Sequence, residues 1–172
     1  MAEINLQELF CRIANGDREA FSCVYQELKR PIYTICYRIT QSSETAEDIT
    51  HDVFVKLFTS PPDPSVKNTR AWIFRMARNL AIDALRKKSN IAEDDEQAII
   101  EDVYSHIQLR LDLEKAMGKL PCDEREILTL HLNAELGFKD IAGMVSLSLP
   151  ATYRKYRKAL KHMQQELNGG IL

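Results

Sequence analysis

Apolar residues recur every three or four positions along almost the whole chain, and that spacing leaves few folds open. Ile4, Leu6, Leu9, Phe10 and Ile13 set the period of a first helix, which Asn15-Gly16-Asp17 ends. Ala20, Phe21, Val24, Tyr25 and Leu28 continue the pattern. Pro31 is expected to restart or kink it, and Ile32, Ile35, Cys36 and Ile39 carry it on. Ser42-Ser43 offers an N-cap, with Glu44 and Glu47 early in the next helix, where the dipole favours acids. That helix, Glu44 to Thr59, is expected to bury Ala46, Ile49, Val53, Phe54, Leu57 and Phe58. Its other face shows Glu47, Asp48, His51, Asp52 and Lys56. Ser60-Pro61-Pro62-Asp63-Pro64-Ser65 cannot continue a helix. No strand alternation or internal repeat competes, so the expected fold class is all-α.

After the proline loop comes NTRAWIFRMARNLAIDALRKK, Asn68 to Lys88. As a helix it places Ile73, Met76, Ala77, Leu80 and Ala84 on a buried stripe. Arg75, Arg78, Asn79, Ile82 and Arg86 gather on the other face, with Trp72 at the border. Six basic residues (Arg70, Arg75, Arg78, Arg86, Lys87, Lys88) stand against Asp83 alone. An arginine-rich face edged by an aromatic suits a phosphate backbone beside unstacked bases. The same pattern also fits a surface helix with solvated arginines, a packed Trp72 and an exposed amide at Asn79.

Residues 91 to 105, IAEDDEQAIIEDVYS, change the composition sharply: six acids and no base. Such a run reads as a tether or a partner-contacting arm, and it sets the expected boundaries. A first helical domain covers 1–90, an acidic linker 91–107 and a second helical domain 108–172. In the second half Leu109, Leu111, Leu113, Ala116 and Met117 lead to a break at Leu120-Pro121. Ile127, Leu128, Leu130 and Leu132 follow, stopped near Gly137, and Phe138, Ile141, Ala142 and Val145 make a short helix. Ser148 can cap a last helix through about Asn168. Two short helices with a tight turn, the second capped and basic, have the helix-turn-helix layout. From Phe138 onward six bases (Lys139, Arg154, Lys155, Arg157, Lys158, Lys161) face two acids, Asp140 and Glu166.

Formal net charge is −2, so only the distribution of charge points to nucleic acid. No run approaches a membrane span and the N-terminus lacks the basic region of a secretory signal, so a cytoplasmic protein is expected. Cys11, Cys23, Cys36 and Cys122 have neither a zinc nor a disulfide spacing, and Cys23 and Cys36 are expected to be buried thiols. Asp48-x-x-His51 has the i, i+3 geometry of a carboxylate-bridged metal bundle. That chemistry needs a second copy. His106, His131 and His162 follow Val103, Leu128 and Ala159 at that spacing, so no metal site is expected.

In that order the segments resemble an extracytoplasmic-function (ECF) sigma factor, the minimal two-domain initiation subunit of bacterial RNA polymerase. AEDITHDVFVKLF (Ala46–Phe58) resembles the region two core that binds the polymerase β′ clamp helices. TRAWIFRMARNLAIDALRKK (Thr69–Lys88) resembles the part that melts and reads the minus-ten element. LPCDEREILTLHLNAELGFKDIAGMVSLSLPATYRKYRKAL (Leu120–Leu160) resembles region four, whose helix-turn-helix reads the minus-thirty-five element. With Ala20 to Ile39 the resemblance covers nearly the whole chain.

The resemblance implies roles for particular residues, and implies neither a cofactor nor a catalytic residue. Trp72, Arg75, Arg78, Asn79, Arg86 and Asn68 would contact minus-ten DNA, and the loop from Pro61 to Asn68 would hold a flipped base. Ser148, Tyr153, Arg154, Lys155, Arg157 and Lys158 would contact minus-thirty-five DNA. Arg154 and Lys158, one turn apart, are expected to share the groove face, with the other bases on phosphate. Asp48, His51, Asp52 and Lys56 would contact polymerase. The implied partners are core RNA polymerase (β′ clamp helices and β flap), promoter DNA and an anti-sigma factor, and the implied linker path runs near the template strand. The chain departs from the family pattern in three places. Ser146 stands where a turn glycine is usual, Pro150-Ala151-Thr152 where Gly-Thr-Val is frequent, and His51 where glutamine is usual. Tyr153 and Tyr156 fit either packing or DNA contact. The rival assignment is a free-standing helix-turn-helix regulator, which leaves the basic helix of the first half without a purpose.

Overall fold

The computed structural model describes residues 5–89 and 104–169, and every helix expected from the spacing is present there. Two compact units divide the chain, Met1–Glu93 and Asp94–Leu172. No strand occurs among the described residues.

The first unit holds α1 (Leu6–Ala14), α2 (Arg18–Thr40), α3 (Ser43–Thr59) and α4 (Thr69–Ser89). Each start is capped by a side chain that the sequence supplies. Asn5 accepts from Glu8 N, Asp17 from Glu19 N and Ala20 N, Ser42 from Thr45 N, and Asn68 from Ala71 N. Gly16 at φ 85° makes the turn between α1 and α2. α2 runs through Pro31 as one helix, so of the expected restart or kink the restart does not occur. Proline removes a single i→i−4 bond, and Leu28, Ile32, Ile35 and Cys36 on both sides of it are buried against the neighbouring helices. α2 packs on both α3 and α4, and those two on each other, around Val24, Leu28, Ile32, Val53, Leu57, Ile73, Phe74 and Ala77. Of the expected buried thiols only Cys36 is inside, its pKa pushed up to about 12 by desolvation. Cys23 is exposed because it lies off the Ala20–Val24–Leu28 line. Phe58 is also exposed, at 59%.

The second unit holds α5 (Tyr104–Lys119), α6 (Cys122–Leu132), α7 (Phe138–Val145) and α8 (Leu149–Gly169). α5 begins inside the expected 91–107 linker, since no glycine or proline stops it there. The rest of that acidic stretch lies outside the described residues. Ala116, Met117, Leu120, Leu128, Ala159 and Met163 form a core, against which Tyr156 and Leu167 pack. Leu111, Leu113 and Leu132, expected on apolar faces, are exposed. Their helices are covered on fewer sides than the spacing alone implies.

The turn from α7 to α8 places Ser146 at φ 56°, ψ 42°, with Leu147 N donating to Ala142 O at 3.1 Å. This left-handed site strains any side chain, which is the physical content of the missing glycine. Ser146→Gly is expected to raise the stability of this unit by about 0.5–1 kcal/mol, read as a higher urea midpoint at unchanged m-value.

Candidate nucleic-acid interface

α4 is held by Ala71, Ile73, Phe74, Ala77 and Ala81, all buried. This stripe is turned slightly from the expected one. Phe74 and Ala81 replace Met76, Leu80 and Ala84, which are half-buried, because α4 meets α2 and α3 on two sides. Arg75, Asn79, Arg86 and Lys87 are exposed and Trp72, Arg78 and Ile82 half-buried, so an indole, an amide and guanidiniums occupy one side of α4. Arg86 also approaches Asp83 at 3.7 Å. Arg70 is used structurally, 3.5 Å from Glu27 and over the Phe74 ring at 5.7 Å.

The loop ahead of α4 is built rather than loose. Asp63 Oδ1 accepts from Ser65 N at 2.8 Å, and hydrogen bonding from Ser65 holds the carboxyl below its ordinary value. Pro62 is buried, and Gln7 Nε2 donates to Pro64 O at 2.6 Å, tying α1 to the loop. That tie between residues far apart in sequence left no local signal. Asn68, expected at DNA, spends its side-chain oxygen on the α4 cap.

On α3 the expected polar face is exposed: Asp48, His51, Asp52 and Lys56, together with Glu47. It borders a group of aromatic rings in which Phe54 is buried as expected, while Phe58 and Tyr25, expected on apolar faces, are exposed. Phe58 meets Phe21 edge-on at 5.2 Å, and Tyr25 meets Phe54 at 4.7 Å. With Val55, also exposed, these rings add apolar area to an acidic band.

In the second unit, Ser148 Oγ accepts from Ala151 N at 3.4 Å, and Pro150 occupies the first turn of α8. Thr152, Ala159 and Met163 face inward. Tyr156 is packing, its ring 4.9 Å from His131 and 5.0 Å from Phe138. Tyr153 is 49% exposed while its ring leans edge-on against Phe138 at 5.4 Å. Arg154 and Arg157 are exposed, and so is Lys161. Lys155 and Lys158 are drawn to α6 instead. Lys155 pairs with Asp123, and Lys158 Nζ lies 3.2 Å from Glu124 Oε1. Lys158 therefore sits apart from Arg154 in what it touches, although one turn separates them.

The Lys155 hydrogen bond holds the Asp123 carboxyl below its ordinary value, and Lys155 is raised in return. Because the folded-state value of Asp123 is depressed, its contribution is present above the unfolded value and lost as pH falls through the folded one. That of Lys155 is lost only as pH rises through its raised value. Both groups are partly exposed, so the pair is worth about 0.5 kcal/mol. Asp123→Asn is expected to lower stability by about that much at neutral pH, the gap closing below pH 3.8, as acid-series denaturant midpoints would show.

Among the described residues no group of three His, Cys, Asp or Glu side chains could hold a metal ion, and no helix is long and apolar enough to cross a membrane. The sequence matches the family model for sigma-70 region 2 over residues 24–91 and that for sigma-70 region 4 over residues 110–163. It is 22% identical to the ECF RNA polymerase sigma factor SigW of Bacillus subtilis, over 96% of this chain and 98% of that protein. The fold is shared with the sigma factor RpoE of Bartonella quintana, solved in complex with the anti-sigma factor NepR. That match has a TM-score of 0.70 at 20% identity, covering 86% of this chain and 96% of RpoE. It is also shared with CnrH, solved with the cytosolic domain of CnrY, at a TM-score of 0.67 and 19% identity over 95% and 97% of the two chains. With both sigma regions in order on their own helical units, the chain belongs to the extracytoplasmic-function RNA polymerase sigma factors.

Proposed function

We propose that the chain binds bacterial core RNA polymerase and directs it to promoters by reading a minus-ten and a minus-thirty-five element. The observation that carries this is α4, whose buried stripe leaves Trp72, Arg75, Arg78 and Asn79 together beside a pinned loop. Promoter opening unstacks bases at a few kcal/mol each, offset by stacking on aromatics and by phosphate contacts. The exposed guanidinium of Arg75 holds phosphate, the edge of Trp72 takes a base face, and Asn79 pairs with a base edge. The loop 61–68 takes the displaced base. On α8 the outward Arg154 and Arg157, with Tyr153 beside them, meet the minus-thirty-five duplex.

Asp48, His51, Asp52 and Lys56 on α3 form the polymerase contact, and exposed Val55 and Phe58 give it apolar area. The protein performs no chemistry of its own and works in the cytoplasm. The complex of its structural relative with NepR supports an anti-sigma partner for this chain.

Run-off transcription from a promoter library, with core polymerase alone and with this protein added, tests the proposal. Protein-dependent transcripts sharing a two-block motif are the expected result. Failure to bind core polymerase, with a shift of duplex DNA by the free protein, would establish a stand-alone helix-turn-helix regulator instead.

A further inference from the structure

The bases of α8 are not equivalent. Glu124, in the first turn of α6, is only 2% exposed, and both its carboxylate oxygens face α8. Oε1 lies 3.2 Å from Lys158 Nζ and Oε2 lies 2.7 Å from His162 Nδ1. Asp123 beside it takes Lys155. Two consecutive acids of α6 thus grip one flank of α8 at positions 155 and 158, with His162 on the same side of the helix.

Burial decides which partner Lys158 keeps. A carboxylate this deep regains little water if its cation leaves, so losing the pair costs more than an exposed ammonium gains at a phosphate. Lys158 therefore stays on Glu124 although its own side chain is 62% exposed. Arg154, Arg157 and Lys161 are exposed and take part in none of these pairs.

We propose that Glu124 is a positioning residue for DNA contact. Together with Asp123 it acts as an internal counterion that withholds Lys158 and Lys155 from phosphate and fixes the rotation of α8, leaving Arg154, Arg157 and Lys161 to meet the duplex. This rests on α8 being the DNA-facing helix, as proposed above.

The test is the salt dependence of binding of the full-length protein to a labelled duplex of arbitrary sequence, where log K falls with log salt and each phosphate contact adds about 0.9 to the magnitude of that slope, the quantity compared below. Arg154→Ala is expected to lower the slope by about 0.9, and Lys158→Ala to leave it unchanged. Glu124→Gln, which keeps the shape and removes the charge, is expected to raise it by about 0.9 by releasing Lys158. If Glu124→Gln loses helicity, the comparison of Lys158→Ala with Arg154→Ala decides alone. Equal losses in those two overturn the counterion role while α8 remains the DNA-facing helix. No change in any variant, or no duplex binding by the wild type and Glu124→Gln alike, overturns both.

Discussion

A protein carrying Arg75→Ala and Arg78→Ala is expected to bind core polymerase within about twofold of the wild type, yet to lose open-complex formation by at least about 100-fold. The magnitude follows from the contacts removed. Hydrogen bonds to charged groups contribute about 1.5–3 kcal/mol each, so two lost on opening amount to about 3–6 kcal/mol, and each 1.4 kcal/mol is tenfold. Binding is expected to survive because the proposed polymerase contacts, Asp48, His51, Asp52 and Lys56, are presented by α3, not α4. Permanganate footprinting on the promoter measures opening, and co-elution with core polymerase measures binding. Arg78 is half-buried, so its loss carries a packing component that the exposed Arg75 lacks. Arg75→Ala alone is therefore the cleaner variant and should lose about half of the effect on a logarithmic scale. Equal loss of binding and opening would mean that this face of α4 is structural.

The helices were legible because their signals are local. Spacing fixed the type of each, and Ser42 and Ser148 announced two of the starts, whereas Asp17, legible only as part of the stop after α1, caps α2. What was not legible depended on neighbours. Phe54, Leu57 and Phe58 are equally apolar and fit one stripe, and only the position of α2 decides that Phe58 stays exposed. Cys23 and Cys36 have similar surroundings in sequence and opposite fates in space. On α8 the bases form one cluster in sequence, whereas Asp123 and Glu124, some thirty residues earlier, divide them. Charge pairs between helices leave no periodic trace. The Ser146 departure was visible as a residue, and its cost became visible only with its positive φ.

Phe74→Ala is expected to have the largest effect on stability, and it separates folding from DNA contact on the same helix. The Phe74 ring is fully buried in α4, beneath the Arg70 guanidinium, where α4 meets α2 and α3. Truncating a core phenylalanine to alanine costs about 3–5 kcal/mol, the lost transfer energy plus a cavity that the surroundings fill only partly. Against a typical domain stability of about 5–15 kcal/mol this removes at least about a fifth of the first unit's stability. A domain of this size loses about 4–8 °C of Tm per kcal/mol, so its transition should fall by more than about 12 °C. The second unit has its own core around Leu128 and Ala159 and should melt as before. Functionally, Phe74→Ala should weaken polymerase binding and promoter opening together, where Arg75→Ala weakens opening alone. Phe74→Leu, which keeps most of the volume, should recover most of the stability and both functions. A Phe74→Ala protein that melts with the wild type would show that α4 is anchored by Ile73 and the small residues Ala77 and Ala81 without the ring.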